Sequence, residues 1–213
     1  MKKVLAAALV CAVSSFAAWD YFPVIEDGKG EAKIACEQSR EGKEKKSGPD
    51  CDDFKIRYSP MANLELMSSV GYTLGARYQI IPVISAGVDI GFPIPDEGWS
   101  FTPNAQFSTS LTEALTLGTN GQVTIYTGDQ GIDLSAGFEL DLAIGKSTIW
   151  IGCDFNREDL DDKDKGTEIA PAIGYLASVG NLSLGTSVGM AFGKAAGHEH
   201  FKTSIGLDAS IQF

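Results

Sequence analysis

Two histidines and a carboxylate-rich segment are the residues of this chain best suited to chemistry. His198 and His200 are the only histidines; they flank Glu199, and no serine motif accompanies them. A histidine activates a hydroxyl only when the fold holds the two groups within hydrogen-bond reach, and nothing in the sequence supplies that partner. The trio is suited at most to weak binding of a transition metal. We therefore predict no catalytic residue and no enzyme activity.

The carboxylate-rich segment runs from residue 158 to residue 166. Its weak candidates for metal ligation are Asp159, Asp161, Asp162 and Asp164. Two lysines interrupt the segment and no glutamate follows at the distal position, so its spacing departs from that of a calcium-binding loop. We interpret it as a solvated acidic loop, and we expect neither a metal site nor a cofactor.

The N-terminus has the pattern of an export signal. Lys2 and Lys3 precede an apolar run over residues 4–13, and small residues up to Ala18 end it, as in a cleaved secretory signal peptide. A buried N-terminal helix is the alternative. We assign residues 1–18 to the signal peptide, 19–30 to an N-terminal arm and 31–213 to the main domain. In an oxidising compartment Cys36 and Cys51 can pair, although the sequence leaves this open.

Alternation of apolar and polar residues runs through the chain from residue 31 onward. It is clearest over residues 132–143, where even positions are apolar and odd positions are polar or small. Successive side chains of a strand point to opposite faces, so each such run has one apolar face. Its length exceeds the ~5–6 residues of an ordinary strand and matches the ~9–11 of a tilted transmembrane strand. About twelve strands are predicted, over residues 31–38, 53–59, 64–72, 75–81, 84–92, 101–111, 115–126, 132–143, 148–155, 167–177, 182–192 and 201–213.

The last thirteen residues form one alternating run that stops at an aromatic residue. Ile211 and Phe213 lie on its apolar face. Such a final strand resembles the C-terminal insertion signal of bacterial outer-membrane β-barrel proteins, and the chain as a whole resembles their porin and transporter-like members. The resemblance implies an all-β, antiparallel up-and-down transmembrane barrel, closed by pairing of residues 201–213 with 31–38. A soluble sandwich is the alternative.

The resemblance also implies a location and partners. The barrel would lie in the outer membrane of a Gram-negative-type bacterium, with both chain ends and the arm on the periplasmic side because the strand number is even. Short turns and longer loops would then alternate, and aromatic residues would mark both rims. Its partners would be lipid and lipopolysaccharide, the barrel assembly machinery acting on the last strand, and a small polar solute. The formal net charge of −11 argues against nucleic acid.

The polar parity of the strands would line the lumen of such a barrel. A predicted basic wall consists of Lys33, Lys55, Arg57, Arg77 and Lys202. A predicted acidic wall consists of Asp133, Glu139, Asp141, Asp154 and Glu168. In a ring of twelve the second and eighth strands lie opposite each other, so the two walls would face each other across the lumen and orient polar solutes. Glu37, Glu65 and Asp208 interrupt the segregation, and the alternative is that the charges form salt bridges that fill a narrow barrel.

The leading hypothesis is a channel for passive diffusion of small polar solutes. It follows from the resemblance, because barrels of about this strand count include nucleoside-specific and acidic-sugar channels. A structural or surface-interaction barrel is the alternative, with a lumen closed by side chains or by the arm of residues 19–30. An envelope enzyme of the outer-membrane phospholipase kind is a third.

Overall fold

The computed structural model describes residues 25–41, 44–45, 50–69, 73–94, 98–127, 131–160, 166–195 and 198–213. The predicted signal peptide, 1–18, and residues 19–24 of the predicted arm lie outside these ranges. No helix within them is long and apolar enough to cross a membrane.

Twelve antiparallel strands of 6 to 15 residues build the fold. They are β1 (Gly30–Glu41), β2 (Asp50–Met61), β3 (Leu64–Ser69), β4 (Thr73–Ile81), β5 (Ile84–Ile94), β6 (Gly98–Ser110), β7 (Leu115–Tyr126), β8 (Ile132–Ile144), β9 (Ser147–Arg157), β10 (Thr167–Val179), β11 (Leu182–Ala195) and β12 (His198–Gln212). Each pairs with its neighbours in sequence, and β12 also pairs with β1, which closes the sheet into an up-and-down barrel. A two-residue strand, Glu44–Lys45, extends the hairpin between β1 and β2. The predicted class and strand number are confirmed.

Contacts between β1 and β12 form the closing seam. The register runs from Glu31 opposite Gln212 to Glu41 opposite Lys202. Beyond it, Gly30 and Phe213 exchange two backbone hydrogen bonds of 2.8 and 2.9 Å. The Phe213 ring lies against Gly30, where a Cβ atom would overlap it. The predicted seam is therefore confirmed. We call the end of the barrel that holds Gly30 and Phe213 the terminus end, and the opposite end the loop end.

Strand boundaries at the loop end depart from the prediction. The predicted strands left residues 193–200 as a loop, but β11 extends to Ala195 and β12 begins at His198, and these two residues pair. His200 likewise pairs with Gly193. The prediction was wrong because it ended strands where side-chain alternation fades, whereas an antiparallel ladder continues through backbone hydrogen bonds whatever the side chains are.

The distribution of side chains is the reverse of that in a soluble protein. Among the described residues, the buried apolar ones are Trp150, Leu176 and Ala191, while a much larger set of buried residues is polar or charged. The large apolar residues instead face outward; along β12, Ile205 is 57% exposed and Leu207 61% exposed. An apolar outer surface on this scale is suited to hydrocarbon and not to water.

Exposed aromatic residues mark both ends of this outer surface. Near the loop end lie Phe54, Phe155 and the tilted pair Phe92 and Trp99, whose ring centroids are 5.6 Å apart. Near the terminus end lie Tyr58, Tyr78, Tyr175 and Phe213. Amphipathic rings favour the two interfaces of a bilayer, so the apolar surface between these rims is the part expected to contact lipid tails.

Charge placed on the outer face tests which surface contacts lipid. We expect Ile205→Lys to lower the free energy of unfolding from lipid vesicles by ~2–4 kcal/mol, because it puts an ammonium group near mid-strand in hydrocarbon. The matched variant Ser204→Lys places the same group on the lumen face and should cost far less. Urea titration followed by tryptophan fluorescence measures both. Equal losses for the two variants would contradict the assignment of faces.

Candidate functional site

The barrel lumen is the candidate site, because it gathers the charged side chains. Arg57 and Arg77 are 5% and 3% exposed, whereas their outward neighbours Tyr58 and Tyr78 are 45% and 53% exposed. Strand parity thus turns the cations inward. Lys33 follows the same rule on β1 and is 3% exposed.

Four buried charges near the terminus end form what we call the Arg57–Glu65 network: Glu31, Arg57, Glu65 and Arg77. Arg57 donates to Glu31 Oε2 through Nη2 at 2.7 Å and through Nε at 3.1 Å. Its Nη1 reaches Glu65 Oε2 at 3.4 Å, and Arg77 Nη1 reaches Glu65 Oε1 at 3.3 Å. Charges removed from water need such partners, since a buried ion left without one costs several kcal/mol.

The register of the strands explains why these four residues meet. Glu31 lies directly opposite Arg57 across β1 and β2, and Glu65 lies directly opposite Arg77 across β3 and β4. Oppositely charged residues in such cross-strand pairs are within reach of each other. Glu31 was not among the residues that the sequence was taken to place in the lumen, although it has the same strand parity as Lys33. Glu65, treated there as an interruption of the basic wall, sits between its two arginines.

The remaining residues of the predicted basic wall are lysines in three different settings. Lys33 lies opposite Lys55 across β1 and β2. Lys55 is half-buried and lines a lumen cavity towards the loop end. Lys202 is more exposed and forms an ion pair of 3.4 Å with Glu37.

The buried part of the predicted acidic wall lies on β8, six strands from β2 in the ring. Glu139 and Asp141 are 0% and 1% exposed and occupy alternate positions of one face. Asp141 lies opposite Thr116 on β7 and Trp150 on β9. The Trp150 ring in turn lies against Gly174 of β10, where a Cβ atom would overlap it. Absence of a side chain at Gly174 therefore makes room for an indole inside the barrel.

The other predicted acidic residues lie nearer the loop end. Asp133 accepts hydrogen bonds from the Tyr126 hydroxyl at 3.0 Å and from the Asp159 amide at 2.8 Å, which ties β8 to the segment after β9. Asp154 on β9 and Glu168 on β10 are half-buried. Whether the two sets act as opposed walls stays a prediction.

The weak metal candidates and the cysteines have separate places. Asp161, Asp162 and Asp164 lie outside the described residues, and Asp159 is the one described member of that set. Across the part of the chain that is described, no three His, Cys, Asp or Glu side chains are grouped to hold a metal ion. Cys36 and Cys51 form a disulfide with their Cα atoms 4.0 Å apart, which joins β1 to β2 at the loop end.

The N-terminal arm enters the lumen at the terminus end. The Ile25 amide donates to Glu65 Oε2 at 3.3 Å, inside the barrel. From there the chain passes to the wall, where the Gly28 amide donates to the Ser59 carbonyl at 2.9 Å and the Ser59 amide donates to the Lys29 carbonyl at 2.9 Å. The arm and the Arg57–Glu65 network thus share one carboxylate.

A closed antiparallel sheet with an apolar outer surface and a charged interior defines a transmembrane β-barrel. No protein-family model matches the sequence, and no curated protein matches it either. Solved structures do match in fold. The COG4313 outer membrane channel from Pseudomonas putida F1 is 14% identical, with a TM-score of 0.63 over 90% of this chain and 98% of that one.

Two further channels have the same fold. The CymD monoaromatic hydrocarbon channel is 8% identical, with a TM-score of 0.57 over 89% of each chain. The NanC porin is 12% identical, with a TM-score of 0.52 over 84% of this chain and 98% of that one. The chain therefore has the fold of outer-membrane β-barrel proteins, as the resemblance of its last strand implied.

The carboxylate shared by the network is open to a direct test. We expect Glu65→Gln to destabilise the barrel by ~3–5 kcal/mol, because it removes the negative charge between two buried guanidinium groups. The control is Glu37→Gln, the same chemical change at a solvent-exposed ion pair, which should cost no more than ~1 kcal/mol. Urea unfolding of both variants in one detergent measures the difference. A Glu65→Gln loss as small as the control would contradict the proposed importance of the network.

Proposed function

We propose that the protein is an outer-membrane channel through which small polar solutes diffuse passively. The observation that carries this proposal is the polar and charged lining of the barrel interior, enclosed by an apolar outer surface. A barrel that served only as a rigid membrane body could fill its interior with apolar side chains at lower electrostatic cost. The channels and porins that share the fold support the same role. No catalytic step and no cofactor are part of it.

Location and topology follow from the same proposal. The chain would be exported through a cleaved signal peptide, would insert into the outer membrane with β12 as its assembly signal, and would keep both termini on the periplasmic side. Ile211 and Phe213 face outward at the end of that strand, 52% and 59% exposed, where an assembly factor or lipid can contact them.

The charged groups of the lumen would select among solutes by orienting those that are polar. Within the Arg57–Glu65 network two carboxylates balance two guanidinium groups, so most of the field across the lumen would come from other residues. Lys33 and Lys55 place amino groups on β1 and β2, and Glu139 and Asp141 place carboxyl groups on β8. A polar solute would align between the two sides, and its movement would follow its concentration gradient.

A closed lumen is the second candidate, and a specific contact favours it. Ile25 of the arm donates its amide hydrogen to Glu65, which is 0% exposed, so Ile25 lies inside the terminus end of the barrel. If the arm fills that end, the protein would be a structural or surface-interaction barrel.

Conductance separates the two candidates. Refolded protein beginning at Trp19, added to a planar bilayer, should give discrete current steps. A variant that lacks residues 19–25 loses the contact between Ile25 and Glu65, and it should conduct as well or better. Absence of steps in both proteins, each shown to be folded by heat-modifiable migration on a gel, would contradict the channel proposal. Steps in the shortened variant alone would identify the arm as a plug.

Ion selectivity tests the contribution of the lumen charges. Replacing Arg57 and Arg77 together by Gln should shift the reversal potential in a KCl gradient towards cation preference, since Glu31 and Glu65 then lose their counter-charges. The matched variant with Lys at both positions keeps the charge and should resemble the parent protein. An unchanged reversal potential in a conducting Gln variant would remove these arginines from any role in selectivity.

A further inference from the structure

A cavity in the loop-end half of the lumen has the features of a solute-binding site. Its volume is about 260 Å³, and strands β2 to β7 line it. Except for Met67, every lining residue in the described part of the chain is polar, and most carry hydroxyl groups. Along the lumen, the cavity lies on the loop-end side of the Arg57–Glu65 network. Lys55 is its lining residue on β2.

Several of the lining groups are held in place by neighbours. Thr102 Oγ1 and Thr124 Oγ1 are 3.0 Å apart in a hydrogen bond between β6 and β7. The Asp89 carboxylate accepts a hydrogen bond of 2.8 Å from Asn104 Nδ2. Asp89 also extends over Gly75, where a Cβ atom would overlap the carboxylate and lie 3.1 Å from Met67 Cγ. The missing side chain at Gly75 thus gives this carboxylate its position at the cavity.

The charge of the lining is balanced. Among the described lining residues, Lys55 contributes one positive group and Asp89 one negative group, and the others are neutral. A solute with net charge of either sign would therefore approach one group of like sign. A neutral solute meets no such cost, and its hydroxyl groups can donate to the carboxylate and accept from the ammonium group.

The size and the lining of the cavity further restrict which solutes it can bind. Pockets for drug-sized ligands usually span ~300–1,000 Å³, so a cavity of about 260 Å³ suits one smaller molecule. Thr73, Thr102, Thr124 and the Gln122 amide can each donate and accept hydrogen bonds. No aromatic ring is among the described lining residues, so the part of the cavity surface that they form offers no platform for a flat apolar ring.

We infer that this cavity binds one neutral, polyhydroxylated solute of the size of a monosaccharide or an alditol. The inference deepens the proposed channel function and rests on it for its physiological meaning. The binding itself can be measured without any transport. The site would concentrate such a solute at the loop end before it meets the Arg57–Glu65 network.

Saturation-transfer NMR on the full refolded chain in detergent micelles tests the inference, with sorbitol, glucuronate and 1,6-diaminohexane as probes. Sorbitol should receive saturation and the two charged probes should receive much less. Replacing Thr102 and Thr124 together by Val removes two hydroxyls at nearly constant volume and should weaken sorbitol binding about tenfold or more. The control is Thr119→Val, the same change on the outward face of β7, and it should bind sorbitol as the parent does.

The possible results distinguish the proposed binding site from the proposed channel function. Preferential binding of glucuronate or of the diamine, or equal sorbitol binding by the folded Thr102/Thr124 variant and the control, would overturn the inference. Current steps in planar bilayers without sorbitol binding would overturn it too, and would leave the channel proposal standing. Sorbitol binding by a protein that gives no current would support the site and contradict the channel.

Discussion

The hydrocarbon core of a bilayer offers no partner for a backbone amide or carbonyl, and this constraint determines the rest of the structure. Each strand must pair on both sides, so the sheet has to close, and pairing between β1 and β12 closes it. Once closed, the barrel has one face towards lipid and one towards the lumen. Side chains then divide by parity, with apolar residues outward and polar residues inward.

The same constraint leads to the buried charges. Inward positions near the terminus end are enclosed by the wall, so the charged residues of the Arg57–Glu65 network lose water and need counter-charges. Cross-strand register supplies them, since Glu31 faces Arg57 and Glu65 faces Arg77. Glu65 then accepts a further hydrogen bond from Ile25, which brings the N-terminal arm into the lumen. The closed sheet therefore determines how the charges pair, and one of the paired carboxylates also binds the N-terminal arm.

Much of the fold could be predicted from alternation alone, because strand parity is a local property of the sequence. It identified twelve strands, the outward residues of β12 and the inward direction of Arg57 and Arg77. It did not identify the ion pairs, since these depend on register between strands, which is set by turns and by the closing seam. Glu31 was overlooked although it shares the lumen parity of Lys33, and Arg57 and Arg77 were assigned to a basic wall that Glu65 only interrupts.

Contacts that depend on a glycine's lack of a side chain could not be predicted from the sequence either. Gly75 makes room for Asp89, and Gly174 makes room for Trp150, yet in sequence each is an ordinary small residue on the polar parity. The predicted strands ended too early at the loop end. Backbone pairing there continues beyond the residues whose side chains alternate. The inward direction of Arg57 and Arg77, by contrast, could be predicted because their neighbours Ile56, Tyr58, Ala76 and Tyr78 are apolar or aromatic.

Thiol accessibility along β12 tests the central claim, that an apolar outer face encloses a lumen open to water. Single cysteines would replace Ser204, Ile205, Gly206 and Leu207 in a background with Cys153 replaced by Ala, and the variants would be reconstituted in lipid vesicles. A membrane-impermeant maleimide should label positions 204 and 206 and spare 205 and 207. Labelling at all four positions would contradict a lipid-facing surface, and labelling at none would contradict an open lumen.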